Sequence, residues 1–385
     1  MHKLLLLLTL IGGLQPLYAA TVDEISQRLD ALSDEVIGLK QKGGQSKTHF
    51  GGYGEFVYIN KSSKDQSKNK VGNGTNPKVD AQRFILYVGH DFSEKWKLTS
   101  EIEIEHANEI FLEQGSIDYH YSEAINAQAG LLLVPVGLIN LYHEPTTFLG
   151  VNRPDIDSKL LPTTWREVGL SFFGESHGLS YRVSLMDGLL ASGFSNDGVR
   201  SGRQKGSQAE ARDLAWVTRL DYKFAGNTVF GASAYLGKAG GVATDVTHKV
   251  YDLHFDTKFS GFSMRGVYTV VKLGNVEQLN IEKSKTGSNS IASQMSGYYA
   301  NLGYNVLHSA SDSELIPFIQ YESYDTQDKI GSSFTKDLSK ERTNITYGLS
   351  YKPLSNIVFK ADYVKSTNKA KTGVDSWNLG MGWNF

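Results

Sequence analysis

Residues 377–385 read WNLGMGWNF, in which large apolar side chains alternate with small or polar ones. Successive side chains of an extended strand point to opposite faces, so this segment is predicted to be a strand with one apolar face. The same period of two recurs upstream. Trp96, Leu98 and Ile102 alternate with Lys97 and Glu101.

Sixteen such strands are predicted after a helical N-terminal segment. They cover 51–60, 82–92, 96–106, 114–121, 125–133, 166–175, 178–188, 214–224, 227–236, 249–259, 261–271, 295–306, 313–322, 343–352, 356–365 and 376–385. Their connections alternate between tight turns, such as 93–95, and longer loops, such as 107–113 and 189–213. Sorting of loops onto two rims is typical of membrane barrels, whereas a soluble sandwich has no reason for it. The predicted fold is therefore an all-β, transmembrane antiparallel β-barrel over residues 46–385, in a bacterial outer membrane.

Composition excludes several classes of function. The 385 residues carry 39 Lys and Arg against 41 Asp and Glu, which argues against a nucleic-acid partner. The absence of cysteine excludes thiolate metal sites and a cysteine nucleophile. His143-Glu144 is followed by Pro145, so it is not a HExxH zinc helix. We expect no enzyme activity, no cofactor and no metal site.

The N-terminal 45 residues are predicted to form two segments that precede the barrel. Residues 1–20 begin with the basic residue Lys3, continue with an apolar run and end with the small residues Ala19 and Ala20. This order is typical of a secretory signal peptide. Residues 21–45 are predicted to form a short periplasmic coiled-coil helix followed by a glycine hinge. An amphipathic helix that lies on its own protein is the alternative. The coiled-coil core comprises Val22, Ile25, Leu29, Leu32, Val36 and Leu39.

A sixteen-stranded barrel is wide enough to leave an aqueous channel. Charged side chains on the faces opposite the apolar ones are therefore predicted to line a wet lumen, since charge facing lipid is costly. These candidate lumen residues are Glu55, Arg83, Lys97, Glu101, Glu103, Glu105, Arg182, Arg219 and Arg265. The three glutamates on one strand favour cations in such a lumen.

The connection at 134–165 is too long for a simple turn and is rich in apolar residues and proline. Loops of this length are usually functional or disordered, and its Leu, Ile, Phe and Trp content disfavours disorder. We expect it to fold into the barrel and narrow the bore. The candidate constriction residues are His143, Glu144, Arg153, Asp155, Trp165, Arg166 and Glu167.

Several motifs together resemble the phosphate-selective porin O/P family of outer-membrane channels. They are GGYGEF at 51–56, EIEIEH at 101–106, LVPVGLIN at 133–140, HEP at 143–145 and LPTTWRE at 161–167. The resemblance implies a sixteen-stranded porin, often trimeric, through which small hydrophilic solutes diffuse passively, and a homotrimer would suit the N-terminal heptads. Selectivity for anions such as phosphate, or for cations, stays open.

The final strand, which ends at Phe385, also resembles the C-terminal signature of outer-membrane barrel proteins. It implies outer-membrane lipid and the barrel assembly machinery as partners. An adhesin or structural barrel without an open pore is the alternative function, because the predicted coiled coil and long outer loops would suit either role.

Overall fold

The computed structural model describes residues 47–72, 75–224 and 227–385. The predicted signal peptide and coiled-coil segment lie outside these residues. From Thr48 onward the chain forms a closed barrel of sixteen antiparallel strands, which confirms the all-β class and the predicted strand number. No helix in the described ranges is long and apolar enough to cross a membrane.

Each strand pairs with its neighbours in sequence, and β1 pairs with β16 to close the barrel. The strands are β1 (Thr48–Lys61), β2 (Lys78–Asp91), β3 (Trp96–Glu105), β4 (Glu109–His120), β5 (Asn126–Leu133), β6 (Arg166–Ser176), β7 (Leu179–Asp187), β8 (Leu214–Phe224), β9 (Asn227–Ala239), β10 (Val246–Phe259), β11 (Phe262–Leu273), β12 (Gln294–Tyr304), β13 (Glu314–Lys329), β14 (Glu341–Leu354), β15 (Ile357–Asn368) and β16 (Ser376–Asn384). The closing seam extends to the last residue, where the backbone N–H groups of Gly52 and Phe385 each donate to the other's carbonyl at 3.1 and 2.9 Å.

In the described ranges, four short 3-10 helices and two α-helices lie between the strands. The α-helices are α1 (Asp155–Lys159), inside the loop between β5 and β6, and α2 (Val276–Glu282), between β11 and β12. The 3-10 helices are Ala191–Gly193, Arg200–Gly202, Gly287–Asn289 and Leu338–Lys340.

The loops differ in length between the two rims, but less strictly than predicted. A turn of three residues, 106–108, joins β3 to β4 where the sequence predicted the longer loop 107–113. The reason is a β-bulge: Glu101 pairs with Gln114 and Ile102 with Leu112, so Glu113 is an extra residue. A bulge interrupts the alternation of faces, and β4 therefore could not be followed upstream of residue 114.

The strand β13 is also longer than predicted: it continues to Lys329, whereas the sequence predicted its end near residue 322. Its last seven residues, SYDTQDK, carry only one large apolar side chain, so they show no alternation of apolar and polar faces. The backbone pairing of this segment with its neighbours holds it extended.

The outward faces of the strands form a band of exposed apolar side chains. Soluble monomers rarely expose contiguous apolar surface of this extent, whereas lipid accommodates it. Aromatic rings meet beside the short turns, as in the pair Trp96 and Tyr119, whose ring centroids are 4.7 Å apart. Members of the outward band include Phe84, Ile102, Leu112, Leu170, Trp216, Phe230, Leu253, Tyr268, Ile319, Leu349, Phe359, Trp377 and Leu379.

The interior of the barrel has an apolar side and a charged side. The inner faces of β8 to β12 contribute fully or nearly fully buried apolar side chains, namely Val217, Tyr235, Val250, Val267, Val271, Met295 and Tyr299. Side chains from the loops pack on them to form one hydrophobic core inside the barrel. The inner faces of β2 to β4 instead carry Arg83, Glu101, Glu103 and Glu113. Part of the interior that the sequence predicted to be hydrated is therefore dry.

Candidate functional site

The loop 134–165 enters the barrel through a narrow neck. The Val134 N–H donates to the Trp165 carbonyl at 2.9 Å, which continues the pairing of β5 with β6. Asn140 closes the neck: its amide donates to the Val134 and Trp165 carbonyls at 2.7 and 2.8 Å, and its oxygen accepts from the Trp165 N–H at 2.7 Å. Asn140 is fully buried, so these three hydrogen bonds form out of contact with water.

We expect Asn140→Ala to lower the free energy of unfolding by about 2–4 kcal/mol, because it leaves one buried N–H and two carbonyls with fewer partners. Urea unfolding followed by tryptophan fluorescence measures the change. Asn356→Ala is the matched control, because the Asn356 amide donates one exposed hydrogen bond to the Asn384 carbonyl at the rim. Equal stability of the two variants would contradict this role of Asn140.

Beyond the neck, the loop packs on the apolar side of the interior. Its side chains Val136, Ile156, Leu160 and Leu161 are all fully buried in the common core. Gly137 adopts a left-handed backbone with φ of 61°, and a Cβ there would lie 2.6 Å from the Leu161 side chain. A glycine is therefore required where the loop turns onto the wall.

Backbone groups of Gly137 and Ile156 attach the loop to charged wall residues. The Gly137 N–H donates to Asp252 at 3.0 Å, and its carbonyl accepts from Arg219. The Ile156 N–H donates to Glu322 on β13 at 2.7 Å. Since the neck lies between β5 and β6, these contacts carry the loop along the inner wall through β8, β10 and β13.

The tip of the loop, residues 141–152, contacts the inner faces of β11, β14 and β15. Three basic side chains donate to its carbonyls: Arg265 to Thr147 at 3.0 Å, Lys352 to Thr146 at 2.9 Å and Lys360 to Gly150 at 2.8 Å. The Val151 N–H donates to Asp362 at 2.6 Å. The Lys360 ammonium also lies 3.7 Å from the Phe148 ring centroid. The loop thus crosses the bore and is held at both sides.

Some of the predicted constriction residues contact other residues of the loop, and the others contact the barrel wall. Arg153 donates to the His143 carbonyl at 2.9 Å and to the Thr164 hydroxyl at 3.1 Å. Asp155 accepts from the Tyr324 hydroxyl at 2.8 Å and from Asn344 at 3.0 Å.

Trp165, Glu167 and Arg166 lie at the base of the loop. Trp165 is fully buried and donates its indole N–H to Glu167 at 3.1 Å. Arg166 lies 3.9 Å from Glu103 and over the Phe111 ring. Trp165 therefore packs in the core and does not line open space.

Two further constriction residues contact the wall. Glu144 accepts from Asn384 at 3.4 Å. The His143 imidazole lies 3.1 Å from Glu113 on β4 and edge-on to the Tyr53 ring. The structure therefore joins the loop to β1, β4 and β16 through residues that the sequence placed at the constriction.

Four of the nine predicted lumen residues lie in buried contacts inside the barrel. Glu55 and Arg83 form a buried ion pair at 2.7 Å. Arg219 is buried against Asp221 at 2.6 Å, and Arg182 donates to Gln128 at 2.9 Å. The remaining predicted lumen residues are Lys97, Glu101, Glu103, Glu105 and Arg265, of which Glu103 is buried. The expectation of hydrated lumen charges is thus wrong for Glu55, Arg83, Glu103 and Arg219, because partners on the wall and the loop cover them.

Half-buried charges of both signs meet on the side of β3 and β4. Glu101 and Glu105 from β3 face the bore, and Arg200, Arg203 and Lys205 from the loop 188–213 lie near Glu105. The Lys205 ammonium lies 5.2 Å from the Phe111 ring centroid. These three basic residues were missed from the sequence, because no pattern in a long loop indicates that it returns to a distant strand.

Ion pairs also connect the loop 134–165 to two neighbouring loops. Lys159 at the end of α1 pairs with Asp197, and Lys340 approaches the same carboxylate at 3.3 Å. Burial acts to raise the pKa of Asp197, but the hydrogen bond from Lys159 and the charges of Lys340 and Arg342 hold it below its usual range.

Two polar recesses open below the loop, toward the short-turn rim. One has a volume of about 260 Å³ and is lined by Thr146, Phe148, Lys258, Arg265 and Lys352, among others. The other has a volume of about 330 Å³, and its lining includes Asn126, Tyr142, Arg182 and Asp221. Charged recesses on one side of the loop and a charged cluster on the other are the expected surroundings of a path for hydrophilic solutes.

The chain resembles one curated protein and several solved outer-membrane barrels. No family model matches it. It is 32% identical over 354 residues to an uncharacterized protein of Aquifex aeolicus strain VF5, a match that covers 87% of this chain and 79% of that protein.

Three solved structures share the fold at low sequence identity. They are the trimer form of the Vibrio cholerae outer membrane protein OmpT (TM-score 0.56, 9% identity, covering 88% of this chain and 99% of that one), the outer membrane channel DcaP of Acinetobacter baumannii (0.55, 12%, 88% and 97%) and the anion-selective porin of Comamonas acidovorans (0.54, 11%, 89% and 100%). At these identities the likeness concerns the fold.

Proposed function

We propose that this chain, which belongs to the same family as the uncharacterized Aquifex aeolicus protein, forms a porin-type diffusion channel in a bacterial outer membrane. The observation that carries the proposal is the folded loop 134–165 inside a closed sixteen-stranded barrel. A barrel of this size holds an aqueous path unless it is filled, and the loop fills one side while charged groups remain on the other. The exposed apolar band supports the outer-membrane location.

The permeating solutes would be small hydrophilic molecules and ions, with anions such as phosphate as the first class to test. Arg200, Arg203 and Lys205 gather at the outer side of the bore and favour anions. The negative charges of Glu101 and Glu105 favour cations instead. The resemblance to the phosphate-selective porin O/P family is a second argument for anions.

The assembly would be a homotrimer that inserts with the help of the barrel assembly machinery. The predicted N-terminal heptads and the trimer form of the OmpT structure support three copies. Two features support recognition by that machinery: the alternating strand β16, which closes the barrel against β1, and Phe385, which follows this strand.

Planar-bilayer recording of the purified, refolded protein tests the function. We expect discrete conductance steps that occur in multiples of three, and a reversal potential in a KCl gradient whose sign shows anion preference. Titrated phosphate should lower the chloride conductance if phosphate is a permeating anion. An absence of steps from protein that shows heat-modifiable gel migration would contradict the channel and favour an adhesin or structural barrel.

A further inference from the structure

Glu101, Glu113 and His143 form a cluster where the loop 134–165 meets the barrel wall. One ligand atom from each residue lies within 4.8 Å of the other two, a spacing that a single metal ion can bridge. Glu101 is on β3, Glu113 on β4 and His143 on the loop tip. The cluster therefore joins three segments that are separate in sequence.

The imidazole of His143 is held in one tautomer. Its Nδ1 lies 3.0 Å from the Asn140 carbonyl, and a carbonyl only accepts, so Nδ1 carries the proton. Asn140 is itself fixed by its three buried hydrogen bonds at the neck. A histidine that donates one ring N–H to a backbone carbonyl and turns the other nitrogen toward carboxylates has the usual arrangement of a metal ligand.

The second ring nitrogen of His143 faces a carboxylate that has no partner other than this imidazole. His143 Nε2 lies 3.1 Å from Glu113 Oε1, an ion-pair distance, and neither this nitrogen nor either Glu113 oxygen has a further hydrogen-bond partner in the described residues. Glu113 is fully buried and His143 is 4% exposed. An imidazole lone pair and a carboxylate repel each other at this distance unless a proton or a metal cation lies between them.

The bulge in β4 accounts for the position of Glu113. As the extra residue opposite β3, Glu113 is turned inward beside the face that carries Glu101. Bulges often re-aim a side chain at a functional site. Glu101 is half-buried, so the cluster stays open to the bore on one side.

We propose that Glu101, Glu113 and His143 bind one divalent transition-metal cation of the zinc type. Two carboxylates and one neutral imidazole suit zinc, cobalt or nickel better than the all-oxygen sites that magnesium and calcium prefer. The nearby Arg83 guanidinium is neutralised by Glu55 at 2.7 Å, which lowers its repulsion of a cation. A bound metal would crosslink the loop tip to the wall.

The site is tested in the refolded full-length protein. The protein is incubated with zinc chloride and desalted, and the zinc that it retains is measured by mass spectrometry. We expect about one zinc per chain in the wild type and at least about tenfold weaker binding in Glu101→Gln, His143→Gln and Glu113→Gln. The Glu101 side chain forms no hydrogen bond or ion pair in the described ranges, so its substitution tests the site at little cost to folding. Heat-modifiable gel migration verifies that each variant is folded.

His254→Gln is the matched control. His254 is also a buried histidine between carboxylates, but both of its ring nitrogens are hydrogen-bonded, to Asp252 at 2.6 Å and to Asp221 at 2.7 Å. It has no free nitrogen for a metal, so the variant should retain zinc as the wild type does. A folded wild type that retains no zinc, or a Glu101→Gln variant that retains as much, would show that His143 and Glu113 form only an ion pair.

Zinc binding does not depend on the proposed channel, but an effect of zinc on conductance does. If the site lies on the conducting path, zinc should reduce the wild-type current and leave the Glu101→Gln current unchanged. Retained zinc with unchanged current supports the metal site and places the path elsewhere in the bore. Channel steps without zinc retention overturn the metal site alone.

Discussion

Replacing residues 141–152 with a short Gly-Ser linker is expected to raise the single-channel conductance about two- to threefold, because the tip of the loop occupies bore that an unobstructed sixteen-stranded barrel leaves to water. The neck and the apolar contacts of residues 134–140 and 153–165 stay in place in this variant. The substitution therefore removes the segment that crosses the bore and keeps the part of the loop that belongs to the core.

The same variant should shift the reversal potential toward anions. Removal of the tip takes Glu144 out of the bore and leaves Arg265, Lys352 and Lys360 without the loop carbonyls to which they donate. Arg265 and Lys352 keep their carboxylate partners Asp256 and Glu314, so the shift comes from the loss of the Glu144 charge. Cationic side chains at the narrow part of a channel favour anions.

Shortening the loop 62–77 is the matched control. The Ser62 and Gln66 N–H groups donate to the Asp375 and Gly373 carbonyls at the long-loop rim, at 2.8 and 2.7 Å, so this part of the loop lies outside the constriction. Its shortening should leave the conductance within about a fifth of the wild-type value. Equal conductance of the 141–152 variant and the wild type would show that the tip does not limit the current.

Trp165→Ala is expected to lower the free energy of unfolding by about 3–5 kcal/mol, the usual cost of truncating a buried aromatic side chain. The Trp165 ring is fully buried, with centroids 4.8 Å from Tyr235 and 6.1 Å from His248. Its loss also leaves Glu167 without the indole N–H that it accepts at 3.1 Å. Urea unfolding in detergent, monitored by circular dichroism, measures the change.

Trp216→Ala is the matched control for this substitution. Trp216 lies on the outward face of β8 and is 57% exposed, so its truncation leaves no cavity inside the barrel. We expect a loss below about 1 kcal/mol. A similar loss for both variants would contradict the packing of Trp165 in a core inside the barrel.

The alternation of apolar and polar residues was enough to predict the strands and most of their bounds. A period of two with apolar residues on one face depends on nearest neighbours along the chain, so each strand carries its own signal. The exceptions have local causes. The bulge at Glu113 interrupts the alternation of β4, and the polar end of β13 shows none.

The constriction loop was predicted from its length and composition, but the partners of its side chains were not. His143 and Glu113 lie 30 positions apart in the sequence, and Arg219 and the Gly137 carbonyl 82 positions apart. The residues next to them in the sequence do not indicate which distant residue each one will contact. Closure of the barrel brings them together.

The sequence by itself determined the sixteen strands, their apolar outward faces and the presence of a long structured loop between the fifth and sixth strands. Only the tertiary structure decided which inward charges meet water and which are buried in pairs, and that three residues from β3, β4 and the loop form one cluster. The physical reason is that a strand's faces follow from local geometry, whereas the environment of an inward side chain depends on what folds into the barrel beside it.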